Sequence, residues 1–331
     1  KLMKTTINRS ALSLAALAVF IATPSITPAF AAPVEIDTIE FEVDSEPVGI
    51  VFSPNGKKAY VVREDDTISV VNVATNTVTS DLSLPENSEP YAIALSPNGK
   101  KAYTANYGDA SVSVVTLSNG FVDTIVLPNG SEPYSIAVSP NGKKVFVAND
   151  RGDTVSVITT ATGAVTSIEL PDGAQPESVA VSPNGKKAYV ANYGNDTVSV
   201  ITVASNAVST IEMTEGSGPT SLALSPNGKK IYVANYDNDT VSIVDAATGS
   251  LATIILREGS SPGAIAVSPN GKKALVANPG NDTVSQIVLA SRSVSTLDLA
   301  AGADPYSVAF APNGKKAYVG NNDNNTVSVI R

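Results

Sequence analysis

Residues 182–187 read Ser-Pro-Asn-Gly-Lys-Lys, SPNGKK, and the same six letters begin at Ser53, Ser96, Ser139, Ser225 and Ser268, with APNGKK at Ala311. Successive copies stand 43 residues apart at every interval, which is the spacing of propeller blades and too long for the common two-helix repeats of about 34 residues. In each copy proline presets the first corner of a turn, asparagine tolerates the second, and glycine takes the left-handed position that closes a hairpin loop. Each copy therefore joins two strands. One unit, Tyr91 to Pro128, holds four short runs, YAIALS, KKAYTAN, SVSVVTL and FVDTIVL, rich in Val, Ile, Thr and Tyr and separated by turn clusters. None has the length or the 3.6-residue period of a helix. The reading is an all-β chain: a seven-bladed β-propeller of four-stranded antiparallel blades.

Blades packed around an axis crowd toward it, so the first strand of each unit should carry one small face. Ala94, Ala137, Ala180, Ala223, Ala266 and Ala309 recur at one phase, and Ile93, Ile136, Val179, Leu222, Ile265 and Val308 alternate with them. That is the period of two that sheet-on-sheet packing requires. The seventh unit stops at Arg331 as its third strand ends, whereas IDTIEFEVDSEPVGI from Ile36 matches VDTIVLPNGSEPYSI from Val122 at twice the period. The amino-terminal segment is thereby expected to supply the missing outer strand and close the ring. The first unit departs from the pattern at YVVREDDTISVV, with Arg63 where other units have Asn and one residue fewer in the turn; an extra residue in TSDLSLP restores the register.

Lys4 and Arg9 precede an apolar run from Ala11 to Ala22, and Ala29-Phe30-Ala31 follows. This is the layout of a secretory signal, with Lys1 and Leu2 standing before the expected initiator Met3 and cleavage expected after Ala31. The run is too short to span a bilayer, which takes roughly 20 residues. The expectation is an exported protein, periplasmic, cell-surface or secreted, with residues 32–331 forming one monomeric propeller domain. Cysteine and histidine are both absent. That removes disulfides and thiolate nucleophiles, and with histidine the side chain most used as a general base and metal ligand. No cofactor and no metal are expected.

SPNGKKAYVANYGNDTVSVI from Ser182 and SPNGKKIYVANYDNDTVSIVD from Ser225 resemble the YVTN-type β-propeller repeat of microbial exported and surface proteins, and the likeness runs over the whole chain after residue 31. The resemblance implies the propeller fold. Members include surface-layer proteins, binding propellers and relatives of enzymes; the related lactonases and lyases place histidine, acidic groups and often a metal near the axis.

Charge is segregated. Beyond the signal, every lysine belongs to one of the seven pairs that follow Gly56, Gly99, Gly142, Gly185, Gly228, Gly271 and Gly314. They ring one face, here the lower one. The upper face takes the other turns, with Asp109, Asp153, Asp196, Asp239, Asp282 and Asp323, and the blade-to-blade crossovers with Glu89, Glu132, Glu177 and Asp304. The lysine ring offers itself to anionic polymers or lipid headgroups; the plainer account is solvation of strand ends. A formal net charge of −9 argues against nucleic acid as a partner. The Asn-Asp-Thr turns are candidates for weak calcium sites, but lack the ligand density of a calcium loop, and turn chemistry accounts for them.

A site should break the repeat. The residue after the proline that begins each inner strand varies from blade to blade: Val48, Tyr91, Tyr134, Glu177, Thr220, Gly263 and Tyr306. These positions should crowd the upper mouth of the axial channel, a concavity of the kind that binds ligands. Tyr91, Tyr134, Glu177 and Tyr306 are the candidate ligand-binding residues, with Arg151 and Arg257 at the rim, and no catalytic residue is assigned. The preferred reading is a binding or structural scaffold for a protein or cell-surface polymer. The alternative is a propeller hydrolase or lyase using carboxylates near the channel mouth.

Overall fold

The computed structural model describes residues 36–331, and the secretory signal expected at residues 1–31 lies outside them. Seven four-stranded antiparallel sheets follow one another around an axis, six of them running in chain order from inner to outer strand and the last taking its outer strand from the start of the described chain. Among the described residues no helix is long and apolar enough to cross a membrane. The last blade is closed as expected: the strand Ile36–Glu40 pairs antiparallel with Thr326–Ile330, in a register that sets Ile36 opposite Ile330 and Glu40 opposite Thr326. In the first blade the additional residue of TSDLSLP is absorbed as a β-bulge between Val70 and Val71 on one strand and Ser80 and Val78 on its partner.

The repeated hairpin is locked by its own side chains. In the fourth blade Gly185 adopts φ +68°, the Lys187 N–H donates to Ser182 Oγ at 2.9 Å, and the Lys186 N–H donates to Asn184 Oδ1 at 3.0 Å. Glycine is required there because a Cβ is strained at that φ. Each blade buries its faces against its neighbours. Phe146, Val155 and Val157 of blade three, for example, pack on Val179, Ala188, Val190 and Ile201 of blade four. Burying each such side chain contributes about 1.5–3 kcal/mol before conformational entropy is charged against it. Nearest the axis, the Ser135, Ser178 and Ser221 hydroxyls accept the Val179, Leu222 and Ile265 N–H groups of the next blade, each at 3.2 Å. Small residues thus do more than fit the taper; they tie inner strands together.

On the upper face the aspartates of the Asn-Asp-Thr turns brace the crossovers. Asp153, in left-handed backbone at φ +47°, accepts the Gly173 and Gln175 N–H groups, both at 2.8 Å. Asp66, Asp196, Asp239 and Asp282 do the same for their own crossovers, and Asn325 does it for the segment after the closing strand. Asp109 and Asp323 are not at this position. In the second blade it is Ala110, which has no side chain to offer. Backbone donors thus take up the Asp153, Asp196, Asp239 and Asp282 carboxylates, and the Asp304 N–H holds the Asp282 carboxyl below the usual range.

Candidate functional site

Six of the seven inner strands begin with a proline, and in the six the pairing slips immediately after it: Pro133 pairs with Asn149 but Ser135 pairs with Ala148. The residue between is the extra one of a β-bulge, and a bulge re-aims its side chain. Val48, Tyr91, Tyr134, Glu177, Thr220 and Tyr306 all occupy that position. The sixth blade lacks the proline pairing; its inner strand is shortened to Ala264–Val267, and Gly263 donates to the Ala277 carbonyl instead.

The bulged residues meet at the axis, around an upper cavity of about 650 Å³. Tyr91 packs against Tyr134 with the rings tilted 41° and their centroids 5.1 Å apart, and meets Tyr306 edge-on at 6.3 Å. The Tyr134 and Tyr306 hydroxyls hydrogen-bond to each other. Burial pushes both phenols well above their ordinary range, and burial followed by the charges of Glu64, Tyr107 and Glu89 pushes Tyr91 up to about 12. Glu177 faces them from blade four. Its carboxyl rises to about 8, first through desolvation and then through repulsion from Asp150 and Asp237 in the flanking blades. It makes no hydrogen bond and no ion pair among the described residues. A carboxylic acid that keeps its proton at neutral pH, lining a cavity, can donate a hydrogen bond or transfer a proton.

Arg151 and Arg257, expected at the rim, do not line the cavity. Arg151 pairs with Glu132 at 3.0 Å, and Glu132 also accepts the Tyr107 hydroxyl at 2.9 Å; Tyr107 in turn packs tilted against Tyr91 with centroids 5.1 Å apart. Arg151 thus braces the tyrosine cluster from outside. Arg257 lies 3.9 Å from Asp298 and is largely exposed. Arg63 is buried, paired with Asp65 at 3.1 Å and set over the Phe41 ring. It stands where the other six units have the buried asparagine.

A second ring of positions also contributes to the mouth. The residue after the buried asparagine, or after Arg63, is Glu64, Tyr107, Asp150, Tyr193, Tyr236, Pro279 or Asn322 according to the blade. Tyr193, Tyr236 and Pro279 line the cavity, as does Asp304. Blade-to-blade variation at a fixed repeat position was the signal that could have found them. On the same face the carboxyl of Glu64 is raised to about 7 by burial and by a hydrogen bond and charge from Glu46, outside the cavity lining.

On the lower face the first lysine of every pair is exposed, without an acidic partner among the described residues. The second lysines are partly engaged: Lys230 pairs with Asp245 at 3.0 Å, and Lys144 donates to the Val203 carbonyl at 3.1 Å.

The sequence matches the virginiamycin B lyase family over residues 34–329. The chain belongs to that family. The YVTN-type label remains a resemblance of the repeat motif. No curated protein matches the chain. Among solved structures, virginiamycin B lyase from Staphylococcus aureus is similar at a TM-score of 0.81 and 17% identity, covering 90% of this chain and 99% of that one. A streptogramin B lyase gives a TM-score of 0.82 at 16% identity, covering 90% and 97%. Kuenenia stuttgartiensis hydrazine synthase gives 0.78 at 25% identity, covering 88% and 97%. A histidine-to-alanine form of the staphylococcal lyase, solved with quinupristin, is described as catalytically inactive. The present chain has no histidine. Nor do the described residues contain a group of three acidic side chains arranged to hold a metal ion, so the mouth does not fit the axial metal that the repeat's resemblance implied.

Proposed function

We propose that this propeller is an exported, carboxylate-dependent lyase of its family, acting on a small molecule held in the axial mouth. The observation that carries the reading is Glu177, an unpartnered carboxyl with its proton affinity raised to about 8 at the edge of an aromatic cavity. A lyase step breaks a bond by elimination: a base removes a proton from carbon, the electron pair forms a double bond, and the leaving atom departs without water entering. Glu177 is the base, its carboxylate form increasing through about pH 8. Tyr134 and Tyr306 hydrogen-bond to each other, which leaves one of their two O–H groups to donate to the departing atom. Family membership supports elimination chemistry, and in Glu177 the mouth supplies an acid–base group beside a cavity.

A second reading has its own support. Lack of histidine, set beside the inactive histidine variant of the staphylococcal lyase, favours a propeller that binds at the same mouth and does not turn over. Incubation with quinupristin and related cyclic depsipeptides, followed by mass spectrometry and chromatography, separates the two. Ring opening by elimination yields a product with the substrate's mass and a new retention time, whereas hydrolysis adds the mass of one water. Loss of turnover in Glu177→Gln with binding retained supports the lyase. Turnover that survives this substitution removes Glu177 from the chemistry. Binding without any product selects the second reading.

A further inference from the structure

The mouth also constrains the charge of what enters it. No lysine or arginine lines the cavity. The lysines of the described chain all stand on the lower face, Arg151 is neutralised by Glu132, and Arg63 and Arg257 pair with Asp65 and Asp298. The wall carries Glu177 and Asp304, and Asp150 and Asp237 lie close enough to act on the Glu177 carboxyl. The rest of the wall includes five phenol rings, Tyr91, Tyr134 and Tyr306 on one side and Tyr193 and Tyr236 on the other. Tyr193 is itself anchored by a 3.4 Å hydrogen bond from its hydroxyl to Asp237. An anion would find no cationic partner and several repelling charges. A positively charged group finds the negative faces of aromatic rings and an unpaired carboxyl together, the arrangement that recognises quaternary ammonium and amine groups.

We propose that the axial mouth selects ligands bearing an organic cation, seated against Tyr91, Tyr134 and Tyr306 with Glu177 as its counter-charge. This rests on the mouth being the ligand site, and it names the ligand class of that site. A cation in the cavity favours the ionised carboxyl, so Glu177 gives up its proton on binding. At pH 7, below its value of about 8, binding releases up to one proton per site, and affinity strengthens by up to about tenfold per pH unit up to that value. The charged and titratable neighbours entering this linkage are Asp150, Asp237, Tyr134, Tyr193 and Tyr306.

Isothermal titration of the full chain with choline tests the proposal, run in two buffers of different ionisation enthalpy so that released protons are counted. The comparison ligand is choline's uncharged isostere, with a tert-butyl group in place of the trimethylammonium, and calcium chloride at matched ionic strength is a third arm. Choline is expected to bind at least tenfold more tightly than the isostere, with proton release that disappears in Glu177→Gln. Tyr91→Ala should weaken binding tenfold or more while Tyr91→Phe, which keeps the ring, restores it, with unchanged circular dichroism showing that the variants fold. Equal binding of the isostere overturns the cation and leaves the mouth as the site. Calcium binding as tight as choline overturns the organic cation in favour of simple charge. Choline binding unaffected by either substitution places the site elsewhere, and sinks both this proposal and the reading it rests on. Failure of choline to bind at all refutes it.

Discussion

Ala110→Asp should stabilise the protein, and the structure supplies the reason six times over. At this position the turn between the second and third strands of a blade enters left-handed backbone, and five blades place an aspartate there and the closing blade Asn325. Each accepts two N–H groups of its crossover, at distances from 2.7 to 3.0 Å. Ala110 holds the same conformation at φ +53° with nothing to accept, and the Gly130 and Glu132 N–H groups have no protein acceptor among the described residues. Two effects add. Left-handed backbone costs alanine roughly 1 kcal/mol, part of which aspartate recovers. A charge-assisted hydrogen bond contributes about 1.5–3 kcal/mol when shielded, but these are exposed and the face is already acidic, so about 1 kcal/mol for the pair is the fair figure. The expected gain is about 1–2 kcal/mol, or a Tm rise of some 2–4 °C for a chain of this size. Differential scanning calorimetry at pH 7 measures it, and Ala110→Asn, which keeps the acceptor without the charge, should recover much of the gain. A Tm unchanged or lowered in both variants would refute the claim that the staple braces the crossover.

Glu177→Gln should stabilise the fold as pH rises. The native carboxyl titrates near 8 against about 4.5 unfolded, so the folded state holds an extra proton between those values and wild-type stability drains away through that window. The variant's advantage, small at pH 4.5, should grow to at most about 5 kcal/mol above pH 8; parallel urea curves at pH 4.5 and 8.5 that differ by a constant would contradict it. Removing residues 34–46 takes away the strand Ile36–Glu40 that completes the last blade and its buried Ile39. The Tm should then fall sharply, and an ordered monomer with the original Tm would show that closure does not depend on this strand. Gly49→Leu should destabilise by several kcal/mol, because a Cβ there already meets Val62 Cγ1 at 2.7 Å and overpacking typically costs about 1–3 kcal/mol even where neighbours can shift.

The repeat determined by itself what local chemistry can determine. A hairpin motif every 43 residues fixes four strands to a unit and seven units to a ring, and the gapless match between Ile36 and Val122 is enough to assign the closing strand. The variable residue after each proline was legible as a candidate because it breaks a pattern. Why those side chains converge was not legible, since the bulge that re-aims Tyr91, Tyr134, Glu177 and Tyr306 is a slip in pairing between two strands and has no letter of its own. Arg151 and Arg257 broke the pattern equally well, yet the fold spends them on Glu132 and Asp298 away from the cavity. Glu177 shows the difference most sharply. In the sequence it is the acidic one of seven variable residues after a proline; in the fold it is desolvated and flanked by Asp150 and Asp237, which lie 27 residues before it and 60 after. Its proton affinity is a sum over distances in space, and only tertiary structure sets those distances.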